Sequence, residues 1–127
     1  MGPRARKRVT GVTRAGTRDT VRTAIGEPLR LPPLEAGTTT ILKAGPRRSS
    51  MDIGDIPPGK QALWPMFTCR GAGTVELILD QGIVITTPCV ASEIRPSLHK
   101  LDIGPRKTLT ARVHAPTEVE WALRITR

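Results

Sequence analysis

The sequence predicts an all-β fold: a single antiparallel β-sandwich, jelly-roll or immunoglobulin-like, of seven to eight short strands, with a flexible basic N-terminal arm. Three observations predict it. Two segments near the C-terminus alternate apolar and polar residues with a period of two, the signature of half-buried strands. The chain carries 12 Gly and 12 Pro in 127 residues, which punctuate it into short elements. Its aromatics are only Trp64, Phe67 and Trp121, so Val, Ile, Leu and Ala must fill most of one small core, and all three aromatics are assigned to it.

Charge divides the chain. Residues 1–50 hold eleven Lys and Arg against three acids, whereas residues 51–127 hold nine against eight, within a total net charge of +9. A basic leader on a balanced body reads as an arm on a compact domain. Residues 1–26 are that arm, disordered in isolation because they lack large apolar side chains, and residues 27–127 are the sandwich domain, most regular over 51–127. Arg4, Arg6, Lys7, Arg8, Arg14, Arg18 and Arg22 are the arm's candidate anion contacts, the last three spaced as a stripe if the segment becomes helical. Asn and Tyr are absent and Arg outnumbers Lys fifteen to five, biases a GC-rich coding sequence also produces.

Within the domain, Leu29 to Leu31 and Thr38 to Ala44 are expected as short strands around a Pro-Pro turn, with Arg47 to Ser50 as a polar linker. Met51 to Ile56 follows as a strand. The stretch from Lys60 to Cys69 is a strand interrupted by Pro65, which lacks a ladder donor and so places the strand at an edge or at a bulge. Val75, Leu77 and Leu79 share a face, Asp80-Gln81-Gly82 turns, and Ile83 and Ile85 return. His99 to Ile103 is another short strand.

At the C-terminus, Leu109, Ala111 and Val113 alternate, as do Val119, Trp121, Leu123 and Ile125. A hairpin closed by Ala115-Pro116-Thr117 would set His114 opposite Glu118, Arg112 opposite Glu120 and Ala111 opposite Trp121, matching charge signs and sizes together.

Cys69 and Cys89 are the only two cysteines. In a flat meander of the strands around them, they would lie two strand spacings apart, about 9.5 Å. A disulfide needs Cα atoms within about 7 Å. A bridge therefore requires the strand before Cys69 to cross to the opposite sheet, or the Cys89 segment to swing over its end. The bridge is the expectation, because closing a loop of this length stabilises a small core by about 3 kcal/mol; the alternative is two buried thiols in a reducing compartment. A metal site built from Cys69, Cys89, His99 and His114 has spacings of 19, 9 and 14 residues, unlike the short paired spacings of structural zinc. No cofactor or metal is implied.

Gly54 to Gln61 fits the start of a phosphate-binding loop, but Pro57 and Pro58 delete two amide donors and Gln61 stands where Ser or Thr should be, so a Pro-Pro-Gly turn is expected. Gly71-Ala72-Gly73 precedes a strand and is likewise a turn. No Gly-x-Ser-x-Gly elbow and no patterned nucleophile, base and acid occur. No run of about 18 apolar residues exists, so no transmembrane segment is expected, and the basic start lacks the apolar stretch of a signal peptide.

Cys69-x-Gly71-x-Gly73, then Cys89, then the Val119-x-Trp121-x-Leu123 strand resembles a pattern in small, uncharacterised actinobacterial proteins. The resemblance covers residues 51–127 and implies a β-sandwich and an extracytoplasmic, secreted or lipid-anchored location; it brings no activity with it. The expected function is a non-enzymatic binding or interaction module with a protein or glycan ligand. The alternative is nonspecific binding of nucleic acid or an anionic surface through the arm.

Overall fold

The computed structural model describes residues 27–127. One compact unit comprises Leu29–Val90 and Arg95–Arg127. It holds eight strands: β1 (Thr40–Arg48), β2 (Met51–Ile56), β3 (Trp64–Arg70), β4 (Gly73–Leu79), β5 (Ile83–Cys89), β6 (Arg95–Leu98), β7 (Leu109–His114) and β8 (Glu120–Thr126). They form two antiparallel four-stranded sheets, ordered β1-β8-β3-β6 and β2-β7-β4-β5.

That order is a jelly roll. β1 pairs with β8, β2 with β7, β3 with β6 and β4 with β5, so the chain is one long doubled ribbon. The ribbon is rolled until β8 meets β3 and β7 meets β4. Consecutive strands β1 and β2, β3 and β4, and β7 and β8 therefore change sheet at corners.

Period-two alternation supplies the core. Phe67 and Cys69 of β3, Val75 and Leu77 of β4, Leu109, Ala111 and Val113 of β7, and Trp121, Leu123 and Ile125 of β8 turn inward and are buried together. Trp121 is fully buried; its ring meets Phe67 edge to face at 6.3 Å, and its Nε1–H donates to the Ser49 carbonyl at 2.9 Å. The one polar atom of the largest core side chain is thus satisfied.

Several expectations are corrected. The C-terminal hairpin does not form, because β7 and β8 lie in different sheets and their apolar faces meet across the core instead of side by side. Arg112 then lies 4.0 Å from Asp52, His114 lies 3.4 Å from Glu76, and Arg70, not Arg112, binds Glu120 at 3.0 Å. Across from Ala111 in the sheets are Gly54 and Leu79, while Trp121 has Arg47 and Cys69 beside it. Alternation is identical in either arrangement, so the pattern could not choose between them.

Leu29 to Leu31 is not a strand: its backbone is held by side chains, as the strand residues Thr68 and Arg124 donate to the Arg30 and Pro32 carbonyls at 2.6 and 2.7 Å. Arg47 and Arg48 extend β1 instead of forming a linker, and the turn shrinks to Ser49 and Ser50, with Ser49 at φ 65°. The strand expected at His99 to Ile103 lies earlier, at Arg95–Leu98, with only an isolated bridge from Leu101 to Leu63. β3 is an interior strand, in unbroken register with β8 through Pro65. Pro65 is tolerated because its missing donor faces the far end of short β6, where its carbonyl still accepts from the His99 amide at 3.0 Å.

The Gly71-Ala72-Gly73 turn is the corner between β3 and β4. A Cβ on Gly71, at φ 136°, would stand 2.3 Å from the Glu118 carbonyl oxygen, and one on Gly73 would stand 3.1 Å from both Pro116 and Val119. Two sheet-changing corners stack here, and glycine lets the backbones approach.

All four edge strands are blunted. β1 carries Pro46 and register shifts, β2 a register shift beyond Asp52, β5 Pro88 and β6 Pro96. Since His99 faces the ladder, alternation turns Pro96 and Leu98 to the free edge of β6, and Pro96 has no N–H to offer there.

Candidate functional site

The two cysteines form a disulfide with a Cα separation of 5.8 Å. Cys69 lies on β3 of one sheet and Cys89 at the end of β5 in the other, so the crossing to the opposite sheet removes the conflict that a flat meander would pose. The bridge ties the sheets together beside Trp121, whose nearest backbone neighbour on β3 is Cys69.

Neither histidine joins these sulfurs in a metal centre. His114 sits against Glu76, and among the described residues no three His, Cys, Asp or Glu side chains gather at one point. Among the described residues the His99 ring reaches the Thr87 hydroxyl, at 3.5 Å, and the same hydroxyl lies 3.5 Å from Ser97. No carboxylate orients His99 among the described residues, and the hydroxyls are at the outer limit of hydrogen bonding. At Gly54 to Gln61 the Gly59 amide donates to the Arg106 carbonyl at 3.3 Å and no helix follows, so the loop does not present the amide cradle of a nucleotide site.

A concave feature of this unit lies on the outer face of the first sheet. On β3 the inward positions are Phe67 and Cys69, so Trp64, Met66 and Thr68 point outward, and Ala122, Arg124 and Thr126 do the same on β8. Residues 29–33 cover part of this face through the Thr68 and Arg124 hydrogen bonds. A turn at Glu35 to Thr38, closed by the Thr38 amide and hydroxyl on the Glu35 carbonyl, then leads into β1.

Between that covering segment and β6 a groove remains open. Trp64, Met66, Leu98 and Thr126 line one end, and Pro32, Pro33, Thr68 and Pro96 the other, where the volume is about 340 Å³. Leu98 is 53% exposed on its rim and Leu34 is 50% exposed nearby in sequence. The Lys100 ammonium lies 5.5 Å over the Trp64 ring.

Trp64 is thus not a core residue. It is half-buried on the outer face and presents an aromatic surface that the assignment of all three aromatics to the core had excluded. Strand parity carried the signal, since Trp64 is an odd number of residues from the inward Phe67 and Cys69. The candidate arm contacts Arg4, Arg6, Lys7, Arg8, Arg14, Arg18 and Arg22 lie outside the described residues.

No protein family, no curated protein and no solved structure matches this chain. No helix among the described residues is long and apolar enough to cross a membrane.

Proposed function

We propose that the jelly roll is a non-enzymatic interaction module that takes an extended, proline-rich segment of a protein partner into the Trp64, Met66 and Leu98 groove. The single observation that carries this is an apolar, aromatic-ended groove left open on a sheet face whose neighbouring strip is already covered by the chain's own proline-containing segment, residues 29–33. A polyproline-type segment needs apolar and aromatic walls and few donors, because its backbone stays solvated. The blunted edges disfavour addition of a strand. The fold itself does not choose, because jelly rolls serve capsid, lectin and enzyme domains alike.

The test is titration of the full chain with a library of proline-rich decapeptides, read by the change in tryptophan emission. Wild type is expected to select peptides that Leu98→Lys binds at least tenfold more weakly at unchanged thermal stability. If no member binds, or if Leu98→Lys and Trp64→Ala bind as wild type does, the groove is not the site.

A second reading rests on the charge of the first 26 residues, through which the chain would bind nucleic acid or an anionic surface nonspecifically. It predicts heparin and DNA binding at low salt that deletion of residues 1–26 abolishes. The Cys69–Cys89 disulfide supports an extracytoplasmic location for either reading.

A further inference from the structure

The loops following β2 and preceding β7 are joined by a two-way backbone bridge: the Gly59 amide donates to the Arg106 carbonyl at 3.3 Å, and the Arg106 amide to the Gly59 carbonyl at 2.8 Å. Arg106 also donates from Nη1 to the Gln61 carbonyl at 2.8 Å. Its other two nitrogens, Nε and Nη2, are both buried and have no hydrogen-bond partner among the described residues. They are not a random pair. In a guanidinium the Nε–H and one Nη2–H lie side by side on one edge and form the fork that grips two oxygens of a carboxylate or phosphate. A buried cationic fork without an acceptor is costly to leave unmade, so a partner that supplies two oxygens there gains more than it would at a solvated arginine.

The surroundings match an anion. Lys60 follows Gly59 and Lys107 follows Arg106, so the bridge brings two exposed ammonium-bearing residues to the same loop pair. Residues 57–63 and 103–109 contain no acid. Asp55 and Asp102, the nearest acids along the chain, form no ion pair with Arg106. Gly59 and the Gln61 side chain lie close against the fork: a Cβ at Gly59 would stand 3.4 Å from Nη2 and 3.0 Å from the Gln61 Oε1. The exposed Gln61 side chain stands near the fork, while Nη1 is held by the Gln61 backbone carbonyl, so that side chain can turn without breaking the Nη1 bond.

We propose that the Nε–Nη2 edge of Arg106, on the loop pair that also carries Lys60 and Lys107, is a binding site for a phosphate group, independent of the groove and of the arm. Three cations favour a doubly charged tetrahedral oxyanion over a monoanionic carboxylate.

The experiment is titration of the full-length protein with inorganic phosphate at constant ionic strength, following the Arg106 Nε–Hε resonance by NMR, with acetate and chloride as parallel arms. Phosphate is expected to shift that resonance saturably and chloride not to. Arg106→Lys, which keeps the charge without the fork, is expected to lose at least tenfold in apparent affinity, read from the Gly59 and Lys60 amides. If Arg106→Lys fails to fold, the wild-type resonance decides alone. An unmoved Arg106 resonance overturns the site, as does an equal response to chloride. Acetate binding as tightly as phosphate overturns the phosphate assignment.

Discussion

Replacing both cysteines, as Cys69→Ala with Cys89→Ala, tests the link between the two sheets quantitatively. The bridge closes a segment with a sequence separation of 20. In the chain-entropy treatment such a closure removes about 11 cal/mol/K from the unfolded ensemble, or about 3 kcal/mol at 25 °C. Both sulfurs are buried in the core, so their loss adds about 1 kcal/mol of packing. Against a total stability of about 5–15 kcal/mol this is a large share. The midpoint of thermal unfolding should fall by roughly 12–30 °C, from about 4–8 °C per kcal/mol in a domain of this size. Urea unfolding followed by tryptophan emission should show the same loss, with a steeper denaturant dependence because the uncrosslinked chain exposes more surface. Reduction of the wild-type protein should reproduce both effects. A loss below about 1 kcal/mol, or two thiols that titrate freely in the native wild type, would refute the reasoning.

Other substitutions probe separate joints of the fold. Gly71→Ala places a Cβ 2.3 Å from the Glu118 carbonyl at a positive φ, so it should destabilise by more than about 2 kcal/mol in urea unfolding. Trp121→Phe removes a buried ring and leaves the Ser49 carbonyl without its donor; calorimetry should show a loss of about 2–4 kcal/mol with the sheets intact by circular dichroism. Pro96→Thr restores an N–H on the free edge of β6, and sedimentation should show self-association that wild type lacks at the same concentration.

The sequence made the inward residues legible more readily than their partners. Alternation marks which face of a strand is apolar, so Val75 and Leu77, Val113, Trp121 and Leu123 were assigned to the core without knowledge of the sheets. It carries no information about neighbours, and the charge match of Arg112 with Glu120 was as good as the pairs that form, Arg112 with Asp52 and Arg70 with Glu120. β6 escaped notice because an edge strand of four residues with Arg95, Pro96 and Ser97 shows no apolar face. Leu29 to Leu31 reads as a strand because its apolar residues stand beside a Pro-Pro turn, whereas the Arg30 and Pro32 carbonyls are held by the Thr68 and Arg124 side chains instead of a ladder. The disulfide was legible as a geometric condition, since a bridge demanded that the strands change sheet. The Trp64 groove needed only strand parity. The Arg106 fork depends on a bridge between loops 47 positions apart in sequence, which no local pattern encodes.

Cross-strand proton NOEs of β8 probe the rolled ribbon most directly. Backbone contacts of Thr68 with Ala122 and of Lys43 with Arg124 should be strong, those of Leu77 with Val113 should tie β7 to β4, and no backbone contact should join Ala111 to Trp121. A continuous ladder between residues 109–114 and 120–126 would contradict the jelly roll, and with it the placement of the groove and of the disulfide between sheets.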